Sequence, residues 1–76
     1  MNFSAAMNYQ GDMEIHKAGC RHLSDRRRIQ QVHHTFEADT PSAARGHMVN
    51  WMEDGGHEVG AWSPEDFMLA ACTRRK

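Results

Sequence analysis

Thr40-Pro41-Ser42-Ala43-Ala44-Arg45-Gly46-His47-Met48-Val49-Asn50-Trp51-Met52-Glu53-Asp54-Gly55-Gly56 is the stretch that decides the fold. Thr40 is an N-cap residue type, and Pro41 suits a first helical position, where its missing N–H costs nothing. Ala44, Met48, Trp51 and Met52 then recur at i, i+4, i+7 and i+8, which is one stripe of a helix. Gly55-Gly56 ends it, as glycine past a C-terminus does. A helix with a single apolar stripe must be covered, and the flanking sequence predicts a sheet as the cover.

Working outward, Asp12-Met13-Glu14-Ile15-His16-Lys17 alternates polar with less polar residues, the period of a half-buried strand. Ala18-Gly19 breaks it. Gln31-Val32-His33-His34-Thr35-Phe36-Glu37 alternates again, with Val32, His34 and Phe36 expected on one face. Between these strands, Cys20 to about Gln30 reads as a second helix with a thin apolar stripe of Cys20, Leu23 and Ile29. After the main helix, Ser63-Pro64-Glu65-Asp66 predicts one helical turn, and Phe67 to Cys72 a third strand completing the sheet between the other two. A C-terminal helix over that apolar run is the alternative, because short apolar runs do not separate the two. The expected fold is therefore a two-layer α/β domain, β-α-β-α-β. Three strands carry two helices on one face, a right-handed crossover makes the first two strands parallel, and the other face is left open. Residues 1–11 show no period and are expected as a mobile lead-in to a single domain over 12–76.

At 76 residues, with 39% hydrophobic and 25% charged side chains, nearly every apolar group is needed to close one core. A deep substrate cleft has no room, so the expectation is a binding module and not an enzyme, with no cofactor. No apolar run is long enough for a transmembrane helix, and Met1 to Met7 lacks the pattern of a secretory signal, so a cytoplasmic site with two free thiols is expected.

The net charge of −1 conceals a segregation. Lys17, Arg21, Arg26, Arg27 and Arg28 face only Asp25 between Lys17 and His34, whereas Glu37 to Asp66 holds seven acids against Arg45. Opposite potentials on different elements can steer a partner's approach. Arg26, Arg27 and Arg28, with His16 and His33 on the open sheet face, are the candidate partner-binding residues. The same arginines with the close Arg74-Arg75-Lys76 make a phosphate-binding footprint, so nucleic-acid binding is the alternative. Trp51, Trp62 and Phe67 read as core rather than as platforms for bases. An exposed sheet face or free edge also admits a homodimer.

A third reading is a zinc-stabilised domain. Imidazole and thiolate are zinc's preferred donors, and His16, Cys20, His33 and Cys72 form the candidate ligand set. No Cys-x-x-Cys or His-x3-His knuckle supports it. Cys20, flanked by Lys17 and Arg21, is where a thiol pKa would fall, although a packed small hydrophobe is the commoner role. A Cys20–Cys72 disulfide is disfavoured by compartment.

His16-Lys17-Ala18-Gly19-Cys20-Arg21-His22-Leu23, then Thr35-Phe36-Glu37-Ala38-Asp39-Thr40-Pro41 and the close Phe67 to Cys72-Thr73-Arg74, resemble small proteins encoded by actinobacteriophages, mycobacteriophages especially. The resemblance spans about residues 13–75. It implies a factor that binds and redirects a host protein, and it transfers no site residue.

Overall fold

The computed structural model describes residues 1–56, 58 and 60–74. It is a small α/β domain with four strands and one α-helix: β1 (Asn2–Asn8), β2 (Met13–Lys17), β3 (Ile29–Glu37), α1 (Pro41–Asp54) and β4 (Phe67–Leu69). Short 3-10 turns cover Arg21–Ser24, Pro64–Asp66 and Ala71–Arg74. The sheet runs β3-β1-β2-β4, with β1 antiparallel to both neighbours and β4 parallel to β2.

The largest departure from expectation is at the N-terminus. Residues expected as a mobile lead-in form the central strand β1, which pairs with β2 on one side and β3 on the other. Ala5 and Ala6 are both fully buried, on opposite faces. A strand covered on both faces loses the polar–apolar alternation that betrays a half-buried one. The β1–β2 hairpin closes through Asn8, whose Oδ1 accepts from the N–H groups of Gln10 and Asp12, and through Gly11 at φ 89°. That backbone region favours glycine.

The second expected helix is absent. Leu23 sits in a 3-10 turn, and the Asp25 carboxylate accepts the Arg27 N–H while its carbonyl accepts those of Arg28 and Ile29. Such local bonds give the backbone an alternative to helix. With only a thin stripe to bury, nothing outweighs them, and β3 begins at Ile29. The first two expected strands, β2 and β3, do not pair; β1 lies between them. The third expected strand, β4, follows the predicted turn at Pro64–Asp66 but lies at the sheet edge.

The helix forms as the sequence predicts. Thr40 Oγ1 accepts the Ala43 N–H at 3.0 Å, and Ala44, Met48 and Met52 are buried. They pack on Phe3, Ala5, Met13, Ile15, Phe36 and Phe67, with Trp51 and Trp62 at the margin. Fully burying a side chain of the Phe or Met class contributes about 1.5–3 kcal/mol, and this layer holds Phe3, Met13, Met48 and Phe67, each at most 1% exposed. Arg45 Nε donates to the Phe67 carbonyl at 2.8 Å and ties α1 to β4.

A register shift in β3 splits the expected face. His34 pairs with Ala5 and Val32 with Ala6, which places His34 under the helix and Val32, 41% exposed, on the other side. His34 therefore stacks on Trp51 (centroids 4.9 Å apart), and His47 of α1 stacks on Phe36 (4.2 Å). The Nε2 atoms of His34 and His47 are 3.2 Å apart, one donating and one accepting. Burial lowers the His34 pKa, and His47 lowers it further by repelling a second charge. A histidine whose folded pKa lies below its ordinary value of about 6.5 stabilises the fold above that value, and loses the contribution as pH falls through the lowered one. Acidification from pH 7.5 to 5.5 is expected to lower the thermal midpoint of the wild type more than that of His34→Phe. Equal losses would place the acid sensitivity elsewhere.

The second sheet face is also covered at its centre. Ser4, Ala6, Asn8, Glu14 and His16 are each at most 7% exposed. The 21–28 segment flanks this face. Leu23 and Arg26 line a cavity of about 420 Å³ with Ile29 and Val32; Arg27 and Arg28 line another of about 340 Å³ with Glu14 and Met68. The expected open face is not present.

Candidate metal centre

Three chain segments meet at the end of β2. His16 sits on β2 with its side chain on the second face. The chain then turns back through Lys17-Ala18-Gly19-Cys20, closed by the Cys20 N–H to Lys17 carbonyl bond at 3.0 Å, with Gly19 at φ 83°. This turn returns Cys20 to the neighbourhood of the imidazole. The third segment comes from the other end of the chain. Ala70 N–H donates to the Ile15 carbonyl and extends the parallel β2–β4 ladder, and the 3-10 turn that follows presents Cys72. There the sulfur takes over as acceptor: Lys17 N–H donates to Cys72 Sγ at 3.3 Å. Thr73 Oγ1 donates to the Ala70 carbonyl at 2.7 Å and holds the turn shut.

One donor atom each from His16, Cys20 and Cys72 lies within 4.8 Å of the others. Cys72 Sγ is 3.6 Å from His16 Nδ1. With metal–sulfur and metal–nitrogen bonds of about 2.3 and 2.0–2.1 Å, two ligands on one tetrahedral zinc ion stand ~3.6 Å apart for N–S and ~3.8 Å for S–S. The Nδ1–Sγ separation already equals the tetrahedral edge. Cys20, with its donor within 4.8 Å of the other two, needs a side-chain adjustment of at most ~1.2 Å to complete the face.

The back of the imidazole is fixed too. His16 Nε2 is 2.9 Å from Glu14 Oε1, and Asn8 Nδ2 donates to Glu14 Oε2 at 2.8 Å. Burial pushes the Glu14 pKa up, but hydrogen bonds from Asn8 and His16, with the nearby Arg28 charge, more than reverse this; the net shift is downward. The ionised carboxylate therefore takes the Nε2 hydrogen and leaves the Nδ1 lone pair facing the sulfur. A carboxylate behind a histidine is the usual outer support of a metal ligand, and its loss typically costs 10–100-fold in metal affinity. If the cluster holds zinc, Glu14→Gln is expected to weaken its binding by roughly 10–100-fold, read by competition with a chromophoric chelator. Unchanged affinity would detach Glu14 from the site.

Cys72, His16 and Glu14 also stand in the order of a thiol–imidazole–carboxylate nucleophile array. The electrostatics run against that use. Burial raises the Cys72 pKa and neighbouring Cys20 raises it further, against the Lys17 N–H, whereas a nucleophilic thiol needs its pKa lowered. A divalent cation held by the two sulfurs would reverse the balance by stabilising the thiolates, and its binding would release protons.

Of the residues singled out from sequence, His16, Cys20 and Cys72 come together, and both cysteines are free thiols. His33 does not join them; it lies exposed at the β3 register shift. His16 is fully buried, so it offers no surface to a partner and its expected place on an open face is corrected. Arg26, Arg27 and Arg28 are exposed, on a loop rather than on the expected helix. Arg75 and Lys76 of the basic close lie outside the described residues, as does the Arg74 side chain. Phe67 is core, with Trp51 and Trp62 packed at its edge, as expected. Sequence reasoning missed Glu14 and Asn8. The signal for Glu14 was present, since Glu14-x-His16 places both side chains on one face of a strand.

No helix of the described residues is long and apolar enough to cross a membrane. Comparison with protein-family models, with curated proteins and with solved structures finds no match to this chain.

Proposed function

We propose that this protein is a small metal-dependent binding domain, in which His16, Cys20 and Cys72 hold a zinc-class ion. The ion fastens the Gly19 turn and the 71–74 turn onto β2. The observation that carries this reading is the convergence of two thiols on Nδ1 of a buried, carboxylate-backed histidine, from positions 56 residues apart in the case of His16 and Cys72. Two sulfurs and an imidazole select zinc over hard cations such as magnesium or calcium, which take oxygen.

With those two turns tied down by the ion, the domain displays the loop of Arg26, Arg27 and Arg28. We propose this loop as the surface that meets a partner, with an acidic host protein as the expected partner class and a nucleic-acid phosphate backbone as the alternative. Exposure of all three arginines beside two shallow cavities supports that reading.

Titration of the full chain with zinc, against a chromophoric competitor, tests the metal reading. One equivalent is expected to bind with release of protons, and Cys20→Ser and Cys72→Ser are each expected to abolish tight binding. Wild type and both variants binding alike would remove the centre from the account.

A further inference from the structure

We infer that the ion held by His16, Cys20 and Cys72 keeps a fourth coordination position that takes the thiolate of a small thiol. The inference rests on the metal-binding reading above. A zinc-class ion is almost always tetrahedral, and structural sites close all four positions with protein, whereas three-ligand sites hold water or a substrate in the fourth. Among the described residues the cluster has three members.

Among the described residues, which do not include His57, the nearest other donors are committed elsewhere. Both Glu14 oxygens are engaged, by His16 Nε2 and by Asn8 Nδ2, behind the imidazole ring and away from Nδ1. His22 follows Cys20 by two positions but lies exposed on the 21–24 turn, outside the cluster. His33 is exposed on β3. The buried side of the ion is occupied by His16, which is fully buried, while both cysteines are half-buried. Solvent therefore reaches the cluster from the side of the two cysteines, where the fourth position is inferred to lie.

The donor set decides what enters there. Two thiolates cancel the charge of a divalent ion, and the imidazole is neutral. Such an ion is a weaker Lewis acid than one held by three imidazoles, so it acidifies bound water less and favours soft sulfur donors. The step is a ligand exchange without electron transfer. The metal–oxygen bond to water breaks, the metal–sulfur bond forms, and the thiol proton passes to solvent.

The test uses the full chain loaded with cobalt(II), whose sulfur-to-metal charge-transfer band grows with each thiolate bound. Titration with 2-mercaptoethanol is expected to raise the band to saturation at one thiol per cobalt, with the tetrahedral visible bands retained. His22→Ala is expected to respond identically. A band that stays constant while one equivalent of cobalt remains bound would overturn the inference and leave the metal centre standing. So would a response confined to His22→Ala, which would mean that the chain closes its own site. A dimer appearing on cobalt loading would assign the position to a second copy, and thiol that merely strips the cobalt would also overturn it. Cobalt bound equally by Cys72→Ser, or not bound at all, is the separate failure of the metal reading itself.

Discussion

A chain lacking residues 1–10 is expected to show no cooperative thermal transition. Among the described residues β1 supplies the only partner that β3 has in the sheet, and it supports β2 along all five residues of that strand. Without it β2 retains only the three-residue parallel ladder to β4, too short to hold a sheet. Phe3 and Ala5 leave the core at the same time. For a domain of this size a total stability of about 4–11 kcal/mol is typical, and truncating one buried phenylalanine to alanine removes about 3–5 kcal/mol. Phe3→Ala is therefore the milder companion variant, expected to fold with a much lower midpoint. Circular dichroism on heating checks both. A truncated chain that melts cooperatively, near the wild-type temperature, would return residues 1–10 to the status of a lead-in.

The second large effect is the response to metal. A ligand that binds only the folded state, present at a hundredfold its dissociation constant, adds about 2.7 kcal/mol. In a 60–100-residue domain each kcal/mol moves the midpoint by about 4–8 °C. Saturating zinc is thus expected to raise the midpoint by about 11–22 °C over chelated protein, and Cys72→Ser is expected to lose the whole increment. The size of the effect follows from what the ion joins. His16 belongs to the sheet, but Cys20 and Cys72 sit on turns with few buried apolar groups of their own. Apart from the ion, those turns are held by hydrogen bonds such as Lys17 N–H to Cys72 Sγ and Thr73 Oγ1 to the Ala70 carbonyl. A midpoint indifferent to zinc and chelator would make the three side chains a packed cluster only.

What was legible in the sequence follows the physics of each segment. Thr40-Pro41 and Gly55-Gly56 punctuate α1 by local chemistry, and its stripe has one period, so the helix and its buried face were readable. β2 alternates because Met13 and Ile15 face the helix while Glu14 and His16 form a buried polar pair on the other face, and the Pro64 turn carries its own capping residues. β1 was hidden because its central residues are Ala5 and Ala6, small groups fully buried on opposite faces of the sheet. The helix expected after Gly19 failed because Asp25 binds the backbone locally and the stripe was too thin to compete. One bulged residue in β3 then turned Val32 away from His34, which no propensity scale records.

The site was half legible for a different reason. Donor chemistry named His16, Cys20 and Cys72, and a turn-forming Gly19 kept the first two close. Convergence of Cys72 depends on β4 lying beside β2, a long-range pairing that periodicity does not encode. His33 was included on chemistry alone, and topology removed it.

The most direct test of the central claim is elemental analysis of the full chain purified without chelator, alongside Cys72→Ser prepared identically. The account predicts about one equivalent of zinc-class metal on the wild type and none retained by the variant. Less than about half an equivalent on a folded wild-type protein, or equal metal on both, would contradict it.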